Sequence, residues 1–96
     1  MDRMDHFRGK LFHEEQVVLD LVDGYLGSHL KRNGNKEWFG TFEFASDQLS
    51  RVASGERFRL VLEDGRAGNV FLDLHNSNSP GKSAAEFHVV GNFNKR

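Results

Sequence analysis

Residues 58–74 read Phe58-Arg59-Leu60-Val61-Leu62-Glu63-Asp64-Gly65-Arg66-Ala67-Gly68-Asn69-Val70-Phe71-Leu72-Asp73-Leu74. Phe58, Leu60 and Leu62 alternate into a turn, and Val70, Leu72 and Leu74 alternate out of it. That period of two is the mark of half-buried strands, and the polar Glu-Asp-Gly break between them makes a β-hairpin. A two-residue loop at Asp64-Gly65 would pair Phe58 with Phe71 and put Val70 and Leu72 on the face of Arg57 and Arg59. A three-residue loop, Glu63-Asp64-Gly65, pairs Phe58 with Val70 and Leu60 with Gly68, and gathers the apolar residues on one face. A slip of one residue turns every side chain over, so burial selects the three-residue loop with its bulge and a left-handed Gly65.

Working outward, strand patterns dominate. Phe7–Phe12 is a short candidate strand. Glu37–Phe44 alternates, with Trp38, Phe42 and Phe44 on one face and Glu37, Thr41 and Glu43 on the other. Ser46–Ala53 reads as a helical turn, with Ser46 as N-cap, Leu49 and Val52 three apart, and Gly55 as its stop. Glu86–Phe93 is the last strand, with Phe87, Val89 and Phe93 inward. Lys31–Lys36 and Asn76–Ser83 carry the residues of loops, including the single proline, Pro80. Asn94-Lys95-Arg96 is expected to fray.

Residues 14–32 read two ways. As a hairpin, Asp23-Gly24 is the turn, pairing Leu21 with Leu26 and Val17 with Leu30. As a helix, Val17, Val18, Leu21, Val22, Tyr25, Leu26 and Leu30 form one stripe, with Glu14 and Glu15 at its start and Lys31 and Arg32 at its end. Gly24 and Gly27 each cost about 1 kcal/mol inside a helix, and Val17, Val18 and Val22 prefer strands. The strand reading is favoured.

The fold expected is a single all-β domain over 1–96: a small antiparallel β-barrel or roll of six to seven strands with one short helical turn. The alternative is an α+β domain with a helix at 14–32 packed on the sheet. The expected inner layer is Phe7, Leu11, Trp38, Phe42, Phe44, Phe58, Leu60, Leu62, Val70, Leu72, Phe87 and Val89.

Composition narrows the function without specifying it. Thirteen Lys and Arg against fourteen Asp and Glu give a net charge of −1, so nucleic acid and anionic membrane have no electrostatic claim from the whole chain. No uninterrupted apolar run exceeds three residues, as in Val17-Val18-Leu19, too short to span a bilayer. Met1–His6 does not read as a secretory signal, and a cytoplasmic location is expected. With no cysteine, disulfides, thiolate catalysis and Cys-ligated zinc are excluded.

Gly81-Lys82-Ser83 looks like the tail of a phosphate-binding loop. The pattern needs a glycine five positions earlier, where Asn76 stands, and a helix following it. It reads as a solvated loop. The histidines His6, His13, His29, His75 and His88 lack metalloprotease spacing. His13-Glu14-Glu15 and the Asp73/His75 pair are weak ligand candidates, and no metal or cofactor is expected. Seven Ser and one Thr lie in no nucleophile turn. So small a domain also has little interior in which to desolvate a catalytic group, and no enzyme is expected.

What remains are residues that break the alternation. Phe39, Val61, Phe71 and Val90 fall on the nominally polar faces of their strands, near Arg57, Arg59, Arg66 and His88. Gathered on one surface they would form an apolar patch with cationic borders. Phe39, Phe71, Arg57, Arg59, Arg66 and His88 are therefore the expected binding residues of a non-catalytic interaction module. Its partner is expected to be a protein or a second copy. The alternative is a small barrel binding single-stranded nucleic acid. A helix over 14–32 would cover this surface, and a strand would leave it open.

Replacing Gly65 by alanine tests the turn. Gly65→Ala is expected to cost about 1 kcal/mol, more than an ordinary loop substitution, because alanine resists positive φ. An unchanged urea midpoint would overturn the three-residue loop.

Overall fold

A computed structural model of the chain describes residues 4–52 and 56–95, giving only the backbone of Asn92, Asn94 and Lys95. The hairpin has the register that burial demands. Phe58 pairs with Val70 and Leu60 with Gly68. Gly65 has φ +95°, and its N–H donates to the Leu62 carbonyl at 3.0 Å.

Six strands follow in chain order: β1 (Met4–His13), β2 (Gln16–Leu30), β3 (Lys36–Ala45), β4 (Arg57–Leu62), β5 (Arg66–Asn76) and β6 (Lys82–Lys95). A 3-10 helix, Ser46–Arg51, follows β3. The strands close into a barrel in the order β1-β2-β3-β6-β5-β4, and every neighbouring pair is antiparallel. The chain thus makes two three-stranded meanders. After the 3-10 helix it resumes at β4 beside β1, and β6 returns to β3. Closure leaves no long sheet edge exposed. Among the described residues no helix is long and apolar enough to cross a membrane.

The α+β alternative fails at residues 16–30, which form one continuous strand. The Asp23-Gly24 turn fails as well. β2 runs straight through it, and the reversal lies earlier, at Glu14-Glu15, between the paired His13 and Gln16. Glu14 and Glu15 have φ of 50° and 70°, the left-handed pair of a tight hairpin turn that ordinarily selects Asn and Gly. No turn-forming residue announces it.

The helical look of this segment has a physical origin. Against β1, the register of β2 slips twice, between Gly9↔Val22 and Leu11↔Leu19 and again before Phe12↔Val17. Each slip leaves one extra residue in β2, a β-bulge. The buried side chains therefore step from Leu19 to Val22 and then to Leu26, a spacing that imitates a helix. At Gly24 the backbone of β3 takes the place a side chain would need. A Cβ there would lie 1.9 Å from the Thr41 carbonyl oxygen and 2.6 Å from the Phe42 Cα. The glycine marks a bend in a strand, not a turn between strands.

The core fills the barrel. Phe42, Phe58, Phe87, Leu11, Leu60, Leu72 and Val70 are fully enclosed, and Leu19, Val22 and Leu26 of β2 join them. Trp38 and Val89 are only partly buried against that cluster. Phe87 lies at its centre, with ring centroids 5.9 Å from both Phe7 and Phe42. Truncating such a ring to alanine costs about 3–5 kcal/mol.

Three local expectations change. Ser46 does not cap its helix; its hydroxyl pairs with that of Ser83 at 2.9 Å. Leu49 faces outward and only Val52 is buried, while Ala53 and Gly55 lie outside the described residues. Asn94 and Lys95 do not fray, since β6 pairs them with Ala67 and Arg66; Arg96 lies outside the described residues. Lys82 and Ser83 open β6, where a phosphate loop would need a helix.

Two substitutions separate strain from close approach. Glu14→Asn with Glu15→Gly is expected to stabilise the fold by about 1–2 kcal/mol, because both positions hold positive φ. Gly24→Ala is expected to cost more than Gly65→Ala, because backbone atoms of β3 occupy the space a Cβ needs. Urea unfolding of the variants reads both; a neutral Gly24→Ala would remove the close approach from the argument.

Candidate functional site

In an antiparallel sheet, residues directly opposite one another lie on the same face. Applied to the six candidate binding residues, this rule gathers four of them into one row. Phe39 of β3 pairs with His88 of β6. His88 pairs with Phe71 of β5, and Phe71 with Arg57 of β4. The row crosses four adjacent strands on the outside of the barrel. At about 4.8 Å per strand, Phe39 and Phe71 stand about 10 Å apart with His88 between them.

The same level continues through Gly27 of β2 to Met4 of β1. Following it leads around all six strands, from the first described residue of β1 to Arg57. That residue lies just beyond Arg59, the partner of Phe12 near the other end of β1. The barrel is strongly staggered, and its tilted strands carry this row obliquely around the surface.

Apolar surface stays exposed along the row. Phe71 is 38 % exposed, Met4 40 % and, one level away on β6, Val90 42 %. The Arg57 guanidinium lies 5.6 Å from the centroid of the Phe71 ring, a cation–π distance. The His29 ring is 5.5 Å from that of Phe39. Beside Phe39 and His88 lies a hollow of about 290 Å³, lined also by Met4, Gly40 and Phe87. A Cβ on Gly40 would meet the Phe87 ring at 2.6 Å.

The structure brings together Phe39, His88, Phe71 and Arg57. Arg59 stands one level along, opposite Asn69, which in turn faces Val90. Arg66 is not part of this group. It is five residues from Phe71 along β5, about 16 Å, and its guanidinium is paired with Asp64 at 2.9 Å. Val61 is also separate, bordering a different hollow with Phe12, Glu15 and Arg59. Met4 and His29 are members that sequence reasoning missed. Met4 lies before the strand expected at Phe7–Phe12, and only register places His29 beside Phe39.

Four of the five histidines sit beside carboxylates: His6 with Asp23 at 2.5 Å, His13 with Glu56 and His29 with Glu37 at 3.6 Å, and His75 with Glu86 at 3.9 Å. His88 pairs with no carboxylate among the described residues. Among these same residues no three His, Asp or Glu come together as metal ligands. The His6 hydrogen bond holds the Asp23 carboxyl below its ordinary range. Burial opposes this, while the charge of His6 and the hydrogen bond and charge of Arg8 add to the lowering. Asp23, read from sequence as a turn residue, is instead gripped by two side chains of β1.

Comparison with known protein families, characterised proteins and solved structures gives no match. The surface itself is therefore the basis for a functional reading.

A carboxyl titration followed by NMR checks the Asp23 pair. A lowered pKa in the fold means stabilisation that is present above the ordinary carboxylate range and lost as pH falls through the lowered value. His6→Ala is expected to move the Asp23 midpoint upward. The stability gap between the two proteins is expected to narrow in acid. An unmoved midpoint would mean that His6 does not hold the carboxylate.

Proposed function

We propose that this barrel is a non-catalytic interaction module that docks a protein partner on the row Phe39–His88–Phe71–Arg57. One observation carries the reading: two aromatic residues that break the strand alternation, Phe39 and Phe71, flank His88 as its direct cross-strand neighbours on the outside of a closed barrel, with Arg57 opposite Phe71. Scattered exposed apolar residues need no explanation, but a contiguous set does. Aromatic rings and arginine are also the residues that most often anchor protein interfaces. The hollow beside Phe39 offers a recess for one apolar side chain of the partner.

Single-stranded nucleic acid is the second reading, favoured by the Arg57 guanidinium over the Phe71 ring, since bases stack on rings while guanidinium meets phosphate. Against it, the neighbouring level of the same surface carries Glu86 opposite Asp73, and carboxylates repel a phosphate backbone. The protein partner is the better fit.

A photo-crosslinking residue placed at Phe39 or Phe71 tests this in cells. The expected result is a discrete polypeptide adduct from both positions and none from Leu49, which is 43 % exposed on the 3-10 helix. Adding Arg57→Glu is expected to reduce the yield several-fold. Adducts from Leu49 alone, or from no position, would count against the reading. If the purified protein instead binds a single-stranded oligonucleotide, with affinity falling steeply as salt rises, the second reading replaces the first.

A further inference from the structure

A second concavity adjoins the aromatic row across Thr41, where the β5–β6 loop lies beside β2 and β3. Its volume is about 410 Å³, and its lining includes His6, Asp23, Tyr25, Glu43, Ser77 and Asn78. We propose that it binds a neutral polyhydroxyl ligand, one sugar unit in size.

The walls are held in place before any ligand arrives. Asp23 and Glu43 are directly opposite on β2 and β3. Unrelieved, two carboxylates so placed repel. Asp23 is held by His6 at 2.5 Å and by Arg8 at 3.4 Å. Glu43 accepts a hydrogen bond from the Ser77 hydroxyl, which ties the loop to the strand. The same Ser77 oxygen accepts the Ser79 N–H at 3.1 Å, shaping the loop. Tyr25 is 51 % exposed, and its ring meets that of His6 edge-on, with centroids 5.6 Å apart.

The chemistry of this lining selects among ligand classes. Tyr25 presents the main exposed apolar surface, a single ring, too little for a lipid or a flat apolar molecule. The two lining histidines, His6 and His75, are each beside a carboxylate, leaving no unengaged cation for a phosphate or a carboxylate ligand. An organic cation finds only Glu43 without a cationic partner among the described residues. The remainder is a set of fixed acceptors and neutral amides and hydroxyls beside an aromatic face. Carboxylate oxygens accept strongly from neighbouring hydroxyls, and Asn side chains both donate and accept. A sugar ring offers those hydroxyls at its rim and C–H bonds on its face, which an aromatic ring can cover. The cavity volume falls in the range of small-ligand sites.

The test is amide chemical-shift titration of the full chain with the methyl glycosides of glucose, galactose, mannose and N-acetylglucosamine. Separate titrations use n-butylammonium chloride and inorganic phosphate. The expected result is a saturable shift with at least one glycoside at millimolar concentration, confined to residues 23–25, 41–43 and 75–78. Binding is expected to weaken at least tenfold in both Tyr25→Ala and Glu43→Gln, with the core amide shifts of each variant unchanged. The proposal is overturned by no saturable shift with any glycoside or by shifts that persist in Tyr25→Ala. Tighter saturation of the same amides by butylammonium or phosphate would also overturn it. Photo-crosslinking from Phe39 and Phe71 does not depend on this cleft, so either reading can fail alone.

Discussion

Two three-stranded meanders become one closed barrel only where β1 meets β4. That seam is short: Gly9, Lys10, Leu11 and Phe12 face Leu62, Val61, Leu60 and Arg59. Gly9 lets the strands approach, since a Cβ there would lie 2.4 Å from the Val61 carbonyl oxygen. Leu11 and Leu60, paired across the seam, are wholly buried. Without it, the six strands, already joined at β3–β6, would form an open sheet with β1 and β4 as unpaired edges and one apolar face toward water. With it, the phenylalanines of both meanders meet in one interior, and every outward residue acquires a defined neighbour.

That dependence explains why the hairpin at 58–74 was legible and β2 was not. In the hairpin, alternation, loop length and Gly65 agree, so burial alone selects one register. In β2 the bulges opposite Gly9–Phe12 shift the phase twice, and the tight turn before it uses two glutamates. Period-two reasoning fails wherever a strand must bend to close a small barrel. The bulge and the Gly24 approach are the means by which β2 bends. They are properties of closure and leave only an irregular apolar spacing in the chain.

The candidate surface divides in the same way. That Phe39, Phe71 and Val90 point away from the core follows from their own strands. That Phe39 and Phe71 flank His88 does not, because β3, β5 and β6 are neighbours only through the return of β6 to β3. Arg66 and Val61 stand apart from the row for a local reason: each lies several residues along its own strand from Phe71 or Arg57. The polar cleft depends on topology still more. Asp23 looks like a turn residue and Ser77 like a loop residue until β2 and the β5–β6 loop are laid against β3.

The chain by itself determined the all-β class, the helical turn after Ala45, the register of the β4–β5 hairpin and most of the interior. These rest on local alternation and on the cost of exposing apolar side chains, both of which are written along a single strand. Tertiary structure alone decided which strands are neighbours, where β2 shifts phase, and which outward side chains stand side by side. Those depend on pairing between segments far apart in the chain, and on the curvature that a six-stranded closure imposes on them.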